Sequence, residues 1–314
     1  MSERGTAAPG QRRAWIMAAR PQTLPAAIAP VLVGTGVAVD HGVFAPLPAL
    51  MALIGAALIQ IGTNFANDYY DAVKGADSPD REGFTRVTAA GLIEPERVRQ
   101  AMAVSFGLAI LSGSYLVYVG GVPILVIGLA SVAAGIAYTG GPYPLGYHGL
   151  GDLFVFVFFG LIAVVGTTYV QAAAVLAAPV PVTPPPGTLP WEAVIASLPV
   201  AALSTNILVV NNIRDRDEDK ATGKRTLAVR FGYRFSRAEF LLLLIGAYIV
   251  PVAMVGVGMA TASALLPLVT IPYAGVLLRT VLTRTAGEYL NPALERAGRL
   301  LAGFAVLFAV GVII

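Results

Sequence analysis

The sequence predicts an all-α integral membrane protein in which nine transmembrane helices surround a central cavity. Of its 314 residues, 56% are hydrophobic and only 12% are charged. The mean hydropathy is +0.74, which is outside the range of ordinary soluble domains. The charge-free stretches give the helix count, because about 20 apolar residues span a bilayer. Stretches of that length hold one helix, and stretches of double length hold two.

Glycine and proline breaks divide the longer apolar stretches into separate helices. The first apolar stretch lacks a clear small-residue cleavage site, so we expect a retained helix and not a signal peptide. We expect one membrane-embedded domain over 1–314, with diverged halves at about 1–150 and 151–314. The nine predicted helices cover 23–39, 47–67, 100–118, 122–139, 153–176, 193–212, 238–255, 260–278 and 298–314.

Basic residues are confined to alternate connections. If the N-terminus is cytoplasmic, all 21 Lys and Arg residues lie on the inner side, in the N-terminal segment and in 68–99, 213–237 and 279–299. The outer loops then carry only Asp40 and Glu192. This asymmetry follows the positive-inside rule, so we expect a multi-pass protein of the inner (plasma) membrane with a cytoplasmic N-terminus. The net charge of +3 suits the anionic inner face of the bilayer and requires no nucleic-acid partner.

Two of the inner loops repeat one layout of carboxamides, acids and bases. The first begins N-D-x-x-D at Asn67, and the second begins N-N-x-x-D-x-x-x-D at Asn211. Lys and Arg residues follow each motif. A repeat of this kind between two membrane halves usually places a shared site on the axis that relates them. We therefore expect an active site at the cytoplasmic side.

The acids of each motif have helical spacing and point to a metal. Asp68 and Asp71 are three residues apart, and Asp215 and Asp219 are four apart, so each pair shares a helix face. Paired carboxylates with carboxamide oxygens suit Mg²⁺, which is commonly shared with substrate phosphates. Neither motif contains His or Cys, which argues against zinc. We expect Mg²⁺ as the cofactor. Its expected ligands or direct supports are Asn67, Asp68, Asp71, Asn212, Asp215 and Asp219.

The bases that follow the acids complete the requirements of a diphosphate. A metal neutralises bridging oxygens, and Lys and Arg take the remaining charge. A solvated acidic and basic loop would explain one motif alone, but two loops built alike at equivalent helix ends favour a site. The expected substrate contacts here are Asn64, Lys74, Arg81, Lys224 and Arg225.

A third inner loop, YTGGPYPLGYHGLGD over 138–152, combines glycines with tyrosines. Glycine lets the backbone approach a ligand closely, and a tyrosine face stabilises positive charge. Tyr138 and Tyr143 are therefore our candidates for stabilising a cation, and His148 is a weak candidate base. The alternative is a re-entrant turn with interfacial tyrosines.

Short motifs along most of the chain identify a family. They are the two aspartate motifs, RPQTL at 20–24, YTGGP at 138–142, GKRTLAV at 223–229 and LNPAL at 290–294. With these motifs, the chain resembles the intramembrane aromatic prenyltransferases of the UbiA superfamily. NDYYDAVKGAD and NNIRDRDEDKATGKRTLAVRFG look most like its 1,4-dihydroxy-2-naphthoate branch, which serves menaquinone and phylloquinone synthesis. Much of the wider family has an Asp where this chain has Gly75; the naphthoate branch shares this departure, and a metal role for Asp77 stays open.

The resemblance implies a substrate pair and a reaction. A polyprenyl or phytyl diphosphate binds over two Mg²⁺ ions, one near each motif, with its tail in a channel open to lipid. Ionisation leaves an allylic cation, which the ring of 1,4-dihydroxy-2-naphthoate attacks as carbon dioxide leaves from the same position. The product is demethylmenaquinol or its phytyl counterpart. With this resemblance, we expect Arg20, as a substrate contact, and Asp152, as a catalytic residue, to shape the acceptor end. Tyr138 and Tyr143 are the expected catalytic residues that stabilise the cation.

Three alternatives stay open on the sequence alone. A sibling enzyme would use 4-hydroxybenzoate, homogentisate or a chlorophyllide as acceptor. A cation transporter also uses paired intramembrane acids and repeats, but its acids usually lie near the bilayer midplane and away from Lys and Arg. A CDP-alcohol phosphotransferase carries a longer single Asp/Gly-rich motif, which this chain lacks. Tail length and oligomeric state are not encoded in a readable pattern.

Overall fold

The computed structural model describes residues 10–75 and 86–314. Within these ranges the secondary structure is helical, without a strand. A π-helical segment, Val157–Ile162, and a 3₁₀ segment, Ala262–Thr270, lie between the α-helices. The helices are α1 (Gln11–Ala19), α2 (Leu24–Asp40), α3 (Pro46–Val73), α4 (Pro95–Ala137), α5 (Gly151–Phe156), α6 (Ala163–Leu176), α7 (Trp191–Arg214), α8 (Arg216–Ala221), α9 (Leu227–Gly256), α10 (Ile271–Thr283) and α11 (Gly287–Ile313).

Helix α4 accounts for two membrane crossings. Eight helical stretches of the described chain are long and apolar enough to cross a membrane, but α4 has 43 residues. At about 1.5 Å per residue that is roughly twice the hydrocarbon thickness. Gly121, with φ 66° and ψ −151°, breaks the helix, and a Cβ at Gly135 would lie 3.5 Å from the Phe106 ring. The chain therefore folds back at Gly121, and the nine predicted crossings agree with the structure.

Several helices extend beyond the limits that hydropathy predicts. The helix predicted at 298–314 begins at Gly287, and the one predicted at 238–255 lies in α9, which begins at Leu227 and has a kink at Gly232, with φ 80° and ψ 177°. The polar residues in these extensions mark where the chain leaves the hydrocarbon, and a helix does not have to end there. The helix predicted at 260–278 starts instead as the 3₁₀ segment, which contains Pro267. Proline lacks the backbone N–H of a regular helix, so the α-helix starts later.

Helix α2 lies at the centre of the packing because its glycines allow close approach. A Cβ at Gly34 would lie 2.9 Å from the Thr167 Cβ on α6, and a Cβ at Gly36 would lie 2.9 Å from the Ala309 carbonyl oxygen on α11. Membrane helices commonly pack through such small residues. Other helices, such as α4 and α9, expose apolar side chains on their outer surfaces, among them Leu111 and Leu242. These surfaces face lipid in a membrane protein.

Helix α1 lies against α3 and directs the chain toward the central cavity. Its Trp15 ring packs edge-on against Phe65, with centroids 5.9 Å apart. The helix ends at Arg20, which has the left-handed φ of 50°. A short 3₁₀ turn, Pro21–Thr23, then leads into α2. This turn places Arg20 at the cavity wall.

Candidate active site

A cavity of about 770 Å³ lies among α2, α3, α4, the α5–α6 segment and α7. Asp71, Asp215 and Asp219 line it where α3 and α7 end. Leu116 and Ile124 line it near the break in α4, toward the opposite end of α3. The cavity therefore combines a charged mouth with a long apolar interior.

The last two turns of α3 place the first pair of acids in different environments. Asp68 is buried and accepts hydrogen bonds from the Thr88 backbone N–H at 3.2 Å and the Thr88 hydroxyl at 2.7 Å. Asp71 is also buried but lines the cavity. Its Oδ1 accepts from the Tyr147 hydroxyl at 2.5 Å, and its Oδ2 accepts from Arg86 at 3.2 Å. Asp68 thus fixes the following loop, while Asp71 faces the cavity.

The second pair of acids lies across the junction of α7 and α8. Asp215 separates the two helices, but the Asp219 N–H still donates to the Asp215 carbonyl at 2.8 Å. The pair therefore keeps helical spacing through the junction. Asp215 forms a buried ion pair with Arg214 at 2.6 Å, and Arg214 also donates to Asn291 of α11 at 2.9 Å. Because both charges of a buried pair are desolvated, removing either one is strongly destabilising.

Lys224 brings the two motifs together. Its ammonium lies 3.5 Å from an Asp71 oxygen and 3.8 Å from an Asp219 oxygen. It also lies 4.9 Å from the centroid of the Tyr147 ring, and Lys74 lies 5.3 Å from the same centroid. Acids from the two halves of the chain therefore lie within reach of one cation at the cavity mouth.

The turn before α2 is held by a cluster of polar side chains at the cavity wall. The Thr23 hydroxyl donates to the Arg20 carbonyl at 2.9 Å and accepts from Gln60 and Asn64, each at 2.9 Å. Asn64 also donates to the Ala19 carbonyl at 2.9 Å. Both amide hydrogens of Asn64 are thus used to join α3 to this turn.

Most of the predicted site residues reach the cavity. Asn67 accepts a hydrogen bond from Thr139 at 2.9 Å, and Asn212 lies 3.5 Å from both carboxylate oxygens of Asp152. Arg81 and Asp77 lie outside the described residues. The predicted residues that line the cavity are Arg20, Asn64, Asn67, Asp71, Tyr138, Asn212, Asp215, Asp219 and Lys224.

Other predicted residues lie apart from the cavity lining. Tyr143 is 58% exposed and stacks on His148 at 3.6 Å between ring centroids. Lys74 donates to the Thr139 carbonyl at 2.6 Å, and the Arg225 side chain is exposed. Asp152 is buried behind Asn212. Their predicted roles in the reaction stay predictions.

Two residues outside the membrane spans have shifted pKa values. Desolvation by burial lowers the pKa of Lys74; the neighbouring Asp71 opposes this shift and Lys224 adds to it. Burial raises the pKa of the Tyr138 phenol, and the nearby Asp152 and the aspartates of both motifs raise it further. Tyr138 therefore stays neutral at physiological pH.

Sequence reasoning did not select several residues of the site. Tyr147 is one of three tyrosines in the glycine-rich loop, and only the fold shows that it contacts Asp71. Thr88 lies in the threonine-rich stretch after the first motif, and Arg214 lies inside the second motif. Asn291 belongs to the LNPAL motif of α11. The short motifs therefore contain or adjoin these residues. Which side chains form hydrogen bonds with each other depends on contacts between distant segments.

The donor set at the cavity mouth fits Mg²⁺ shared with a diphosphate. Carboxylate and carboxamide oxygens from both motifs line the mouth. Among the described residues, no three acidic, His or Cys side chains are grouped closely enough to hold a metal alone. Mg²⁺ sites of this class use one or two carboxylates and complete their coordination with waters and substrate phosphates. The first motif supplies one such carboxylate, Asp71, and the second supplies two, Asp215 and Asp219.

Comparison with known proteins identifies the family. Residues 27–294 match the UbiA prenyltransferase family. The chain is 42% identical to 1,4-dihydroxy-2-naphthoate octaprenyltransferase of Escherichia coli over 76% of this chain and 74% of that protein. It is 35% identical to the enzyme of the same name from Mycobacterium leprae over 94% of each chain.

A solved structure shares the fold at low sequence identity. It is a UbiA homolog from Archaeoglobus fulgidus bound to GPP and Mg²⁺, with a TM-score of 0.61 and 15% identity over 94% of this chain and 99% of that one. The likeness concerns the helical arrangement around the cavity described above. Because the family match covers most of the chain and the relatives exceed 30% identity, the protein belongs to the UbiA prenyltransferase family.

Proposed function

We propose that the protein transfers a polyprenyl group from its diphosphate to 1,4-dihydroxy-2-naphthoate, releasing pyrophosphate and carbon dioxide and giving demethylmenaquinol. One observation carries the proposal: acids of two separate motifs approach Lys224 at the charged mouth of an otherwise apolar cavity. A prenyl diphosphate has the same division into a charged head and an apolar tail. The naphthoate acceptor is supported by the names of the relatives from E. coli and M. leprae.

The diphosphate head binds at the mouth. Asp71, Asp215 and Asp219 would hold Mg²⁺, with the Asn67 and Asn212 oxygens as further donors. Bound Mg²⁺ neutralises the phosphate oxygens and so makes pyrophosphate a better leaving group. Structures of the Archaeoglobus fulgidus homolog bound to GPP or DMAPP together with Mg²⁺ support this choice of metal. Lys224 and Arg86, which now contact Asp71, turn to the phosphates when these bind.

The prenyl tail occupies the apolar interior. Side chains of both halves of α4 and of the π-helical segment line it, among them Leu116, Ile124 and Phe158. These side chains offer no hydrogen bond, so the tail is held by exclusion of water. The same surface accepts a polyprenyl or a phytyl chain.

The proposed transfer requires neither an added acid nor an added base. The allylic C–O bond breaks, and its electron pair leaves with pyrophosphate. The faces of Tyr138 and Tyr147 stabilise the positive charge on the allyl group through their quadrupoles. The ring carbon that carries the carboxylate bonds to the allyl carbon. The bond to the carboxylate then breaks, carbon dioxide leaves, and its electron pair restores the aromatic ring.

We place this enzyme in the inner (plasma) membrane as one domain over 1–314, with a cytoplasmic N-terminus. The charge distribution supports this orientation, because the basic residues follow the aspartate side of the helices. The two halves, about 1–150 and 151–314, each contribute one aspartate motif. The reaction therefore takes place at the cytoplasmic surface, where a water-soluble naphthoate arrives.

The test is a membrane assay with 1,4-dihydroxy-2-naphthoate and a polyprenyl or phytyl diphosphate, with and without Mg²⁺. Prenylated naphthoquinol and carbon dioxide are measured together, and we expect equal amounts that depend on Mg²⁺. Asp219→Asn should abolish both products, because Asp219 lines the cavity mouth. Asp217→Asn is the matched control, because Asp217 lies in the same segment but has an exposed side chain. Turnover only with homogentisate or 4-hydroxybenzoate would contradict 1,4-dihydroxy-2-naphthoate as the acceptor.

A further inference from the structure

A second polar pocket lies outside the active site. It has a volume of about 330 Å³ and lies between the end of α10 and the start of α11. Three arginines line it, Arg279, Arg284 and Arg296, together with Glu288 and Tyr289. Positive charge therefore outweighs negative charge in the pocket.

Among the described residues, no ion pair neutralises the three arginines. Arg299, three residues beyond Arg296, pairs with Glu295 at 3.2 Å. In the part of the chain that the structure describes, Arg279, Arg284 and Arg296 have no carboxylate at ion-pair distance. The guanidinium groups are therefore available to an external anion. Arginine suits phosphate oxygens because its planar group donates two parallel hydrogen bonds.

Contacts around the pocket hold its walls in place. The Arg284 guanidinium stacks over the Tyr289 ring at 4.4 Å from the centroid. Arg237 of α9 donates to the carbonyls of Val281 at 3.1 Å and Arg284 at 3.3 Å. The turn between α10 and α11 is thereby fixed to the start of α9. Ordered walls reduce the entropy that binding an anion would cost.

The location of the pocket favours a lipid over a soluble anion. Arg237 lies near the start of α9, close in the chain to the second aspartate motif, so the pocket lies on the aspartate side of the membrane. Val276 and Leu282 of α10 expose apolar side chains beside it. A tyrosine next to basic residues is typical of the membrane interface. A phosphate in the pocket can therefore have its acyl chains along α10.

Helix α11 connects this pocket with the active site. Glu288 and Arg296 line the arginine pocket, while Leu294 lines the central cavity and Asn291 accepts a hydrogen bond from Arg214. One helix thus presents one face to each of two sites. An occupied pocket would hold α11 in the position that supports Arg214.

We propose that this pocket binds the phosphate headgroup of an anionic phospholipid on the aspartate side of the membrane. The recognised chemistry is a phosphate anion, which a lipid and a soluble phosphate share. The exposed apolar side chains beside the arginines assign the site to the lipid. This assignment is independent of the proposed prenyl transfer.

Native mass spectrometry of the full-length protein in detergent tests the proposal with phosphatidylglycerol and phosphatidylcholine as probes. Wild type is compared with Arg279→Gln/Arg296→Gln and with the matched control Arg97→Gln/Arg99→Gln. The control removes the same charge from arginines that pair with Glu94 and Glu96. Melting temperatures of all three proteins establish that each is folded.

We expect wild type and the control to retain phosphatidylglycerol in preference to phosphatidylcholine. The pocket variant should lose about fivefold of this preference for each arginine, because a basic residue near an anionic surface contributes about 1 kcal/mol. An unchanged preference in the pocket variant, or an equal loss in the control, would overturn the site. Displacement of the lipid by inorganic phosphate or pyrophosphate would assign the pocket to a soluble anion and overturn the lipid.

Discussion

Tyr147 is the residue that joins the charged groups at the cavity mouth. Its hydroxyl donates to Asp71 at 2.5 Å, and its ring lies beneath the ammonium groups of Lys74 and Lys224. One side chain thus orients a carboxylate and contacts two cations. In the proposed reaction the same ring faces the allylic cation, so Tyr147 has an electrostatic role as well as a positioning one.

We predict that Tyr147→Phe lowers kcat/KM about tenfold, because a hydrogen bond to a charged group contributes about 1.5–3 kcal/mol. Phenylalanine keeps the aromatic ring, so the cation–π contacts with Lys74 and Lys224 should persist. Tyr118→Phe is the control, since Tyr118 is 57% exposed and does not line the cavity. Steady-state kinetics with the diphosphate varied would measure both. Equal losses in the two variants would count against the assigned role of Tyr147.

Thr88 positions Asp68 through two hydrogen bonds, one from its backbone and one from its hydroxyl. Thr88→Val removes only the hydroxyl donor, and we expect it to lower turnover because the Asp68 carboxylate is left partly unsatisfied in a buried site. Thr88→Ser keeps the donor and should restore most of the turnover. Normal turnover in Thr88→Val, which keeps the methyl group but lacks the hydroxyl, would contradict the assigned role of this hydrogen bond.

Residue types and spacing were enough to predict that aspartates of both motifs lie at one site, and Asp71, Asp215 and Asp219 line one cavity. Their binding of a metal stays a prediction. Residue types and spacing were not enough to choose among Tyr138, Tyr143 and Tyr147, which share one glycine-rich loop. Only the packing of that loop against α3 places Tyr147 on Asp71. Asn64 lines the cavity and uses both its amide hydrogens within the protein, so its predicted contact with substrate stays a prediction.

At the scale of helices, hydropathy predicts which segments cross the membrane but not where each helix begins and ends. Charge-free length and glycine breaks predicted nine crossings, including the reversal at Gly121. The extensions of α9 and α11 beyond the bilayer carry polar residues, so a hydropathy argument assigned them to loops. These extensions matter for the site, because Asn291 on the extended part of α11 contacts Arg214.

Close packing of α2 against α11 depends on Gly36. We predict that Gly36→Ala lowers the melting temperature in detergent, because its Cβ would lie 2.9 Å from the backbone oxygen of Ala309. Backbone atoms in a packed core cannot move away cheaply. Gly107→Ala on α4 is the matched control: a Cβ there meets nothing within 4 Å, and alanine favours the helix. Equal melting temperatures for both variants would contradict the packing account.

At the scale of the whole molecule, acids that are far apart in the chain meet at one cavity mouth. Each half contributes an aspartate motif, and Lys224 lies between Asp71 of the first and Asp219 of the second. The repeated layout in the sequence predicted a shared site but not which acids meet. That choice depends on how α3 and α8 approach each other across the cavity, which no single motif encodes.

The central claim is that both motifs act on one diphosphate, and a double-mutant cycle tests it most directly. Mg²⁺-dependent turnover of naphthoate and prenyl diphosphate would be measured for Asp71→Asn, Asp219→Asn and the double variant. Residues that act as a unit are strongly non-additive. We predict that each single variant loses nearly all turnover and that the double variant loses little more. Losses that add, or near-normal turnover in either single variant, would contradict a shared site.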